Sequence, residues 1–192
     1  MSEQYLIEHC SPTLAGIKTG SLFPVKIKKG SDIKEELRKL NGIIREKGLR
    51  AVLVRKRSNS VLVYVYRPDY LARDLKDPKA LEILKEKGYI CEGPECCLKQ
   101  LIKHFMTDDV FPHEIGLFLG YPPSDVKCFM ESPWEGVKCR GCWKAYSNEK
   151  EAEKTFSLYK KCTENYRNLY KSGKSLAQLV VPSKDAACAG LS

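Results

Sequence analysis

Two histidines in this chain stand beside residues that could share their chemistry. His9 precedes Cys10, which brings together a base and a thiol of the kind that a nucleophilic site uses. His113 precedes Glu114, as in the first half of a zinc-protease helix, but no second histidine follows at helical spacing. We predict a catalytic group of His9, Cys10, His113 and Glu114. In it a histidine acts as base or metal ligand, and Cys10 acts as nucleophile or thiolate ligand.

Polar residues that suit an anion follow the first pair closely. Lys18 lies between Gly16 and Gly20, whose backbone could cradle an anion, although the spacing is not that of a phosphate-binding loop. We predict that Thr13, Lys18, Ser21 and Tyr121 bind substrate or an anion. The alternative is that the segment around residues 9–23 is only a strand or loop that packs on a sheet.

Cysteine is frequent in this chain, which has nine of them. Cys139 and Cys142 form a CxxC pair, which can share a tetrahedral zinc ion or close into a redox disulfide. A second group, Cys91, Cys96 and Cys97, has the irregular spacing C-x4-C-C. A metal site at Cys139 and Cys142, a redox pair and a set of independent buried thiols therefore all remain open.

Positive charge is concentrated in the N-terminal third. The net charge is +9, and residues 25–60 alone hold 12 Lys/Arg against 4 Asp/Glu, a net of +8. Such a field favours nucleic acid or an acidic protein as partner, with Arg55, Lys56 and Arg57 as the contact. The alternative is a solvated lysine-rich surface.

Residues 112–129 have the pattern of a helix-turn-helix. Gly116 permits close packing of two helices, Gly120 suits the turn, and Val126 suits the anchor. The second helix offers Lys127 against two acids and contains no Arg, Asn or Gln. DNA readout by this helix is therefore disfavoured, and we interpret the pair as a packing scaffold that presents His113, Glu114 and Tyr121.

Other patterns predict the elements that must position these residues. We predict a strand at 21–28, a helix at 31–47, a hairpin at 50–66 with its turn at 58–60, helices after Asp77 and Pro94, and a long helix at 147–173. His104 is predicted to be a partly exposed helix residue. A short edge strand is expected after residue 174. The fold class is α+β, a small mixed or antiparallel sheet with a helical C-terminal half, in one domain at 1–181 with a flexible tail at 182–192.

Three sequence blocks together carry a resemblance to a known family. They are "HCSPTLAGIKTGSLF", "FPHEIGLFLGYPPSDVKCF" and "GCWKAY" followed by "FSLYKKCT". They resemble an uncharacterised family, labelled a domain of unknown function, of anaerobic, clostridia-like bacteria. Cys128 stands where family members tend to have glycine. The resemblance implies no established activity, but it associates the family with iron-uptake and flavodoxin genes.

These observations lead to three hypotheses. The first is a small-molecule or metal- and redox-related binding protein or enzyme, with iron, zinc or flavin as the candidate cofactors. The second is a nucleic-acid-binding protein that uses the basic region 25–60 and the helix-turn-helix-like pair. The third is an adaptor for an acidic redox partner such as a flavodoxin. The start of the chain lacks a signal-peptide pattern and no apolar run spans a bilayer, so a cytoplasmic protein without membrane contact is expected.

Overall fold

The computed structural model describes residues 1–27, 30, 32–107 and 110–183 and has an α+β fold. In chain order its helices and strands are α1 (Glu3–Leu14), β1 (Gly20–Lys26), α2 (Ile33–Ile44), β2 (Arg50–Lys56), β3 (Ser60–Tyr66), α3 (Pro68–Asp74), α4 (Pro78–Glu86), α5 (Pro94–Thr107), α6 (Ile115–Phe118), α7 (Pro123–Glu131), β4 (Cys139–Arg140), β5 (Lys144–Ala145), α8 (Glu149–Lys171) and α9 (Leu176–Leu179).

The chain forms two compact units. The first comprises Met1–Tyr70 with Cys162–Ser192, and the second comprises Leu71–Lys161. The division into one domain at 1–181 and a tail stays a prediction, and the tail beyond residue 183 lies outside the described residues.

The first unit contains an antiparallel sheet in the order β1-β3-β2. This confirms the predicted hairpin and the central place of its returning strand, whose apolar side chains occupy both faces. One face packs against helices in a core of apolar side chains from the sheet and from α1, α2 and α9; the buried members include Leu6, Leu14, Phe23, Val25, Leu37, Leu40, Ile44, Val61, Val63, Val65 and Leu176. Asp32 caps α2 by accepting hydrogen bonds from two backbone N–H groups.

The N-terminal segment corrects one prediction. Residues 3–14 form a helix, although Pro12 lies inside it, so the strand or loop expected at 9–23 is wrong for residues 9–14 and is found only from residue 15 onward, as a loop followed by β1. The C-terminal carbonyls of α1 receive hydrogen bonds from Arg67, which is fully buried and donates to Thr13 O and Leu14 O at 2.8 Å each. A cation at this end also complements the helix dipole. The same guanidinium donates to Val181 O at 2.7 Å and so holds the chain after α9.

The expected edge strand after residue 174 is also wrong. Ser175 and Gln178 form a reciprocal capping box that begins the four-residue helix α9. The long helix is confirmed as α8, which runs for 23 residues.

Helices α6 and α7 of the second unit have the predicted helix-turn-helix order. α6 has only four residues, and Gly120 makes the turn with a positive φ of 76°. A Cβ at Gly116 would lie 2.8 Å from Val126 Cγ2, so only glycine permits this approach of α6 to α7. β4 and β5 pair as a two-residue antiparallel ladder. Within the described residues, no helix combines the length and apolar character needed to cross a bilayer.

Candidate functional site

A cavity of about 360 Å³ lies within the second unit. Its volume falls in the range of small-molecule sites, which is roughly 300–1,000 Å³. The lining combines four polar or charged residues with an apolar wall: Lys87, His104, His113 and Glu114, with Val110, Phe111, Pro112 and Met130.

Glu114 is the buried acid of this cavity, with 4% of its surface exposed. Its Oε1 accepts a hydrogen bond from Tyr89 Oη at 2.9 Å and lies 3.2 Å from His104 Nδ1. Its Oε2 has no hydrogen-bond partner among the described residues. It is also not one of the fully enclosed polar atoms that lack a partner there, so this oxygen is accessible from the cavity. A carboxylate oxygen is therefore available to a ligand in the cavity.

His104 is oriented by the same carboxylate. Its ring packs edge-on against Tyr89 with centroids 4.8 Å apart, and 24% of its side chain is exposed. Donation from Nδ1–H to the carboxylate leaves Nε2 as the lone-pair nitrogen. A carboxylate that fixes the tautomer of a histidine is the arrangement by which enzymes prepare a general base.

His113 completes the polar lining. It is exposed, and its ring lies 5.0 Å from that of Phe129 and 5.5 Å from that of Phe111, measured between centroids. The backbone turns at residues 113–114, directly before α6, so both side chains reach one cavity. The predicted pair His113 and Glu114 is therefore brought together.

Local structure fixes the positions of Tyr89 and His104. α4 ends at Glu86, and Gly88 follows with a positive φ of 78°, which reverses the chain before Tyr89. Gln100 of α5 then holds the next residue, Ile90, by two hydrogen bonds of 2.9 Å to its backbone N–H and carbonyl. His104 lies in the last turn of α5, one helical turn beyond Gln100.

Sequence reasoning missed Tyr89 and interpreted His104 as a helix residue alone. They lie 25 and 10 residues before Glu114, so neither helical nor strand spacing relates them to it. The one available signal was that the chain contains three histidines.

The other predicted catalytic residues belong to the first unit. His9 is exposed, and its ring stacks on Phe23 at 5.5 Å with an interplanar angle of 11°. Cys10 is fully buried in the core. Burial raises the pKa of the Cys10 thiol far above its usual range, against the opposing effects of Lys18 and Ser21. This thiol is protonated at neutral pH, which disfavours a nucleophile; the catalytic roles of both residues stay predictions.

The predicted anion-binding residues are distributed over both units. Thr13 Oγ1 and Ser21 Oγ are buried and hydrogen-bonded to each other at 2.9 Å, while Lys18 is half-buried. Tyr121 lines a separate cavity of about 470 Å³ in the second unit. It stacks on Trp143 at 4.9 Å and donates from Oη to the carbonyl of Cys142 at 3.0 Å. Tyr121 is therefore not in the cavity of Glu114, and its ligand role stays a prediction.

The CxxC pair lies on the short β4–β5 hairpin, with Cys139 in β4 and Cys142 in the turn that joins β4 to β5. Cys139 is half-buried and Cys142 is exposed. Burial, together with Glu153 and Glu149, raises the pKa of Cys139, which disfavours its thiolate. Burial and the neighbouring Cys91 raise the pKa of Cys97 to about 12. Among the described residues, no group of three or more His, Cys, Asp or Glu could hold a metal ion.

A second buried acid holds the middle of this unit together. Asp125 of α7 accepts from Trp143 Nε1 at 2.8 Å, from Tyr146 N at 3.0 Å, and from Ser147 N and Oγ at 2.9 and 2.8 Å. Burial by itself would raise the pKa of Asp125, but the bonds from Ser147, Trp143 and Tyr146 lower it overall. Its Oδ1 and Oδ2 are both occupied, so Asp125 is a structural acid, unlike Glu114.

Fold and site together define an α+β protein with a carboxylate–histidine pair in a small-molecule-sized cavity. Residues 6–180 match a family described as protein of unknown function (DUF3793). The chain belongs to this family, which confirms the predicted unknown-function class; the clostridial origin stays an expectation. No curated protein and no solved structure shows significant similarity to the chain.

Proposed function

We propose that the second unit binds a small polar molecule in the cavity of Glu114 and that His104 accepts a proton from it. The main support for this proposal is the hydrogen bonding of Glu114. One oxygen of this buried acid is bonded to Tyr89 and His104, and the other has no partner within residues 1–27, 30, 32–107 and 110–183. A purely structural acid would be expected to use both oxygens within the protein, as Asp125 does.

Each polar group then has a separate task. Glu114 Oε1 holds the Nδ1–H tautomer of His104, and Oε2 accepts a hydrogen bond from a donor group of the ligand. His104 Nε2 is the proton acceptor. Lys87, which also lines the cavity, attracts an anionic group of the ligand, and the apolar part of the lining contacts its nonpolar part.

Histidine-selective NMR tests this proposal, because three histidines give three resolved sets of ring signals. With ¹⁵N-labelled histidine at a pH where the imidazoles are neutral, His104 should be the Nδ1–H tautomer. In Glu114→Gln this preference should weaken or be lost. His9, in the other unit, is the internal control, and its signals should not change.

A library of small polar fragments is then added to the labelled protein. We expect hits that shift the signals of His104 and His113 together, and that fail to do so in Glu114→Gln. A circular dichroism melt shows whether the variant is folded, and Asp77→Asn, at the exposed cap of α4, is a matched carboxyl-to-amide control. An Nε2–H tautomer in the wild type, or fragments that bind equally well to Glu114→Gln, would refute the proposal.

The metal or redox role linked to iron or flavodoxin physiology remains a separate proposal. It rests on the resemblance and on the CxxC pair at Cys139 and Cys142. Anaerobic purification followed by metal analysis and absorbance spectra tests it, and a salt-sensitive pull-down tests an acidic partner such as a flavodoxin. A colourless protein without iron, zinc or flavin, whose melting temperature these cofactors do not change, would end this proposal. The cytoplasmic location stays a prediction.

A further inference from the structure

Four basic side chains gather at one end of the three-stranded sheet. Lys26 is the last residue of β1 and pairs with Ser60, while Arg55 and Lys56 end β2 and Arg57 begins the turn. The turn is well formed, because Arg57 N donates to Ser60 O at 2.8 Å and Ile27 N donates to Asn59 O at 3.0 Å. We call Lys26 and residues 55–60 the basic tip.

The cations of the basic tip have no neutralising partner among the residues that the structure describes. Lys26, Lys56 and Arg57 are exposed and Arg55 is half-buried. None of the four has an ion-pair partner in the part of the chain that the structure describes. Some cations elsewhere are paired, as Arg167 is with Glu8, so what sets the basic tip apart is that four unpaired cations lie together. The unpaired cations therefore leave a local positive field that an external anion can satisfy.

The surroundings of these cations decide between anionic partners. A protein interface needs a buried apolar centre, and no large exposed apolar residue lies in the basic tip. Single-stranded nucleic acid is held by stacking on aromatic side chains, and residues 55–60 include no aromatic residue. A backbone of regularly spaced phosphates needs only the cations.

We propose that the basic tip binds double-stranded DNA through its phosphates. A β-hairpin fits the major groove of B-form DNA, which is about 12 Å wide, so the turn can enter the groove while the arginines and lysines contact its rims. The residues offer mainly charge, so binding is largely independent of base sequence. This site is distinct from the cavity of Glu114 and lies in the other unit.

The helix-turn-helix pair is a poor alternative site for binding DNA. Lys127, the one basic residue of α7, lies 3.2 Å from Glu82 and 3.5 Å from Glu86 of α4. Its charge is thus already matched within the second unit. The DNA-binding hypothesis therefore rests on the hairpin at Arg55, Lys56 and Arg57, where the sequence already placed the contact, and not on this pair.

Fluorescence anisotropy with a labelled duplex of random 20-base-pair sequence, measured from 50 to 200 mM KCl, tests the proposal. Four phosphate contacts predict a slope of log K against log salt of about −3.6, which is a loss of about 150-fold in affinity over that range. The triple variant Arg55→Gln, Lys56→Gln, Arg57→Gln should reduce the slope by about 2.7 units. A circular dichroism melt checks that it is folded.

A control variant that loses the same number of cations distinguishes contact at the basic tip from an effect of net charge alone. Lys79→Gln, Lys85→Gln, Lys99→Gln removes three exposed cations from the second unit and should leave the slope unchanged. Equal losses in both triple variants would overturn the assignment to the basic tip. The proposal also fails if no duplex binds at 50 mM KCl, if single strands bind more tightly than the duplex, or if polyglutamate competes as well as DNA of equal charge.

Discussion

Replacing Asp125 with alanine should unfold the second unit at a much lower urea concentration. The carboxylate accepts four hydrogen bonds from three residues, Trp143, Tyr146 and Ser147. Alanine removes the acceptor and leaves the buried N–H of Tyr146 without a partner. Hydrogen bonds to a charged group contribute about 1.5–3 kcal/mol each but are not additive, so we expect a loss of about 3–5 kcal/mol.

Tryptophan fluorescence during urea titration measures this effect, because both tryptophans of the chain, Trp134 and Trp143, lie in the second unit. With a urea dependence of about 2 kcal/mol per molar, the midpoint should fall by about 2 M. Asp125→Asn is the graded control. Its Oδ1 can keep the bonds from Tyr146 and Ser147 while the bond from Trp143 is lost, so about 1–2 kcal/mol should disappear.

The contribution of Asp125 to the stability of the second unit should depend on pH. The folded-state pKa of Asp125 is lowered, so its ionisation stabilises the fold above the unfolded-state pKa of about 3.9. That contribution is lost as the pH falls below this value towards the folded-state pKa. The difference between wild type and Asp125→Ala should therefore shrink as the pH falls from 5 to 3. A midpoint shift below about 0.3 M, or a difference that grows on acidification, would refute the reasoning.

Three further outcomes follow from individual contacts. Arg67→Lys should destabilise the first unit by about 3 kcal/mol in thermal melts, because an ammonium group cannot reach all four acceptors of the buried guanidinium; an unchanged melting temperature would contradict this. Gly116→Ala should lower the stability of the second unit, and Val126→Ala in the same chain should restore part of it, since the new Cβ would contact Val126 Cγ2; a double variant that is worse than both singles would contradict steric conflict. The raised pKa of buried Cys10 predicts that a thiol reagent at pH 8 labels exposed Cys142 in the folded protein and Cys10 only after unfolding, as peptide mass spectrometry can follow; rapid labelling of Cys10 without unfolding would contradict it.

Local patterns predicted most of the sheet and helices correctly. The hairpin β2–β3, the cap of α2 at Asp32 and the cap of α4 at Asp77 all depend on residues a few positions apart. Such signals act within one element, so they are readable before any tertiary contact forms. The turn at Gly120 belongs to the same group, because only glycine adopts its backbone angles without strain.

Two errors lie where the local signals were too mixed to decide the structure. Pro12 and the surrounding Ser and Thr residues weaken the helical signal of α1, and the helix end is held by Arg67, more than 50 residues away in sequence. The segment after residue 174 became a helix because of its capping box, although its apolar residues resemble an edge strand. Local propensity was too weak at both places to decide between helix and strand.

The candidate site was likewise predictable only where its residues are close in sequence. The sequence by itself determined that His113 and Glu114 are neighbours at the start of a helix-turn-helix, and that positive charge gathers around the hairpin at 55–57. Only the tertiary structure brought Tyr89 and His104 to one oxygen of Glu114, left the other oxygen without a partner in the described part of the chain, and placed Tyr121 in another cavity. A buried acid acquires its partners from whichever elements pack around it, and those elements are distant in sequence.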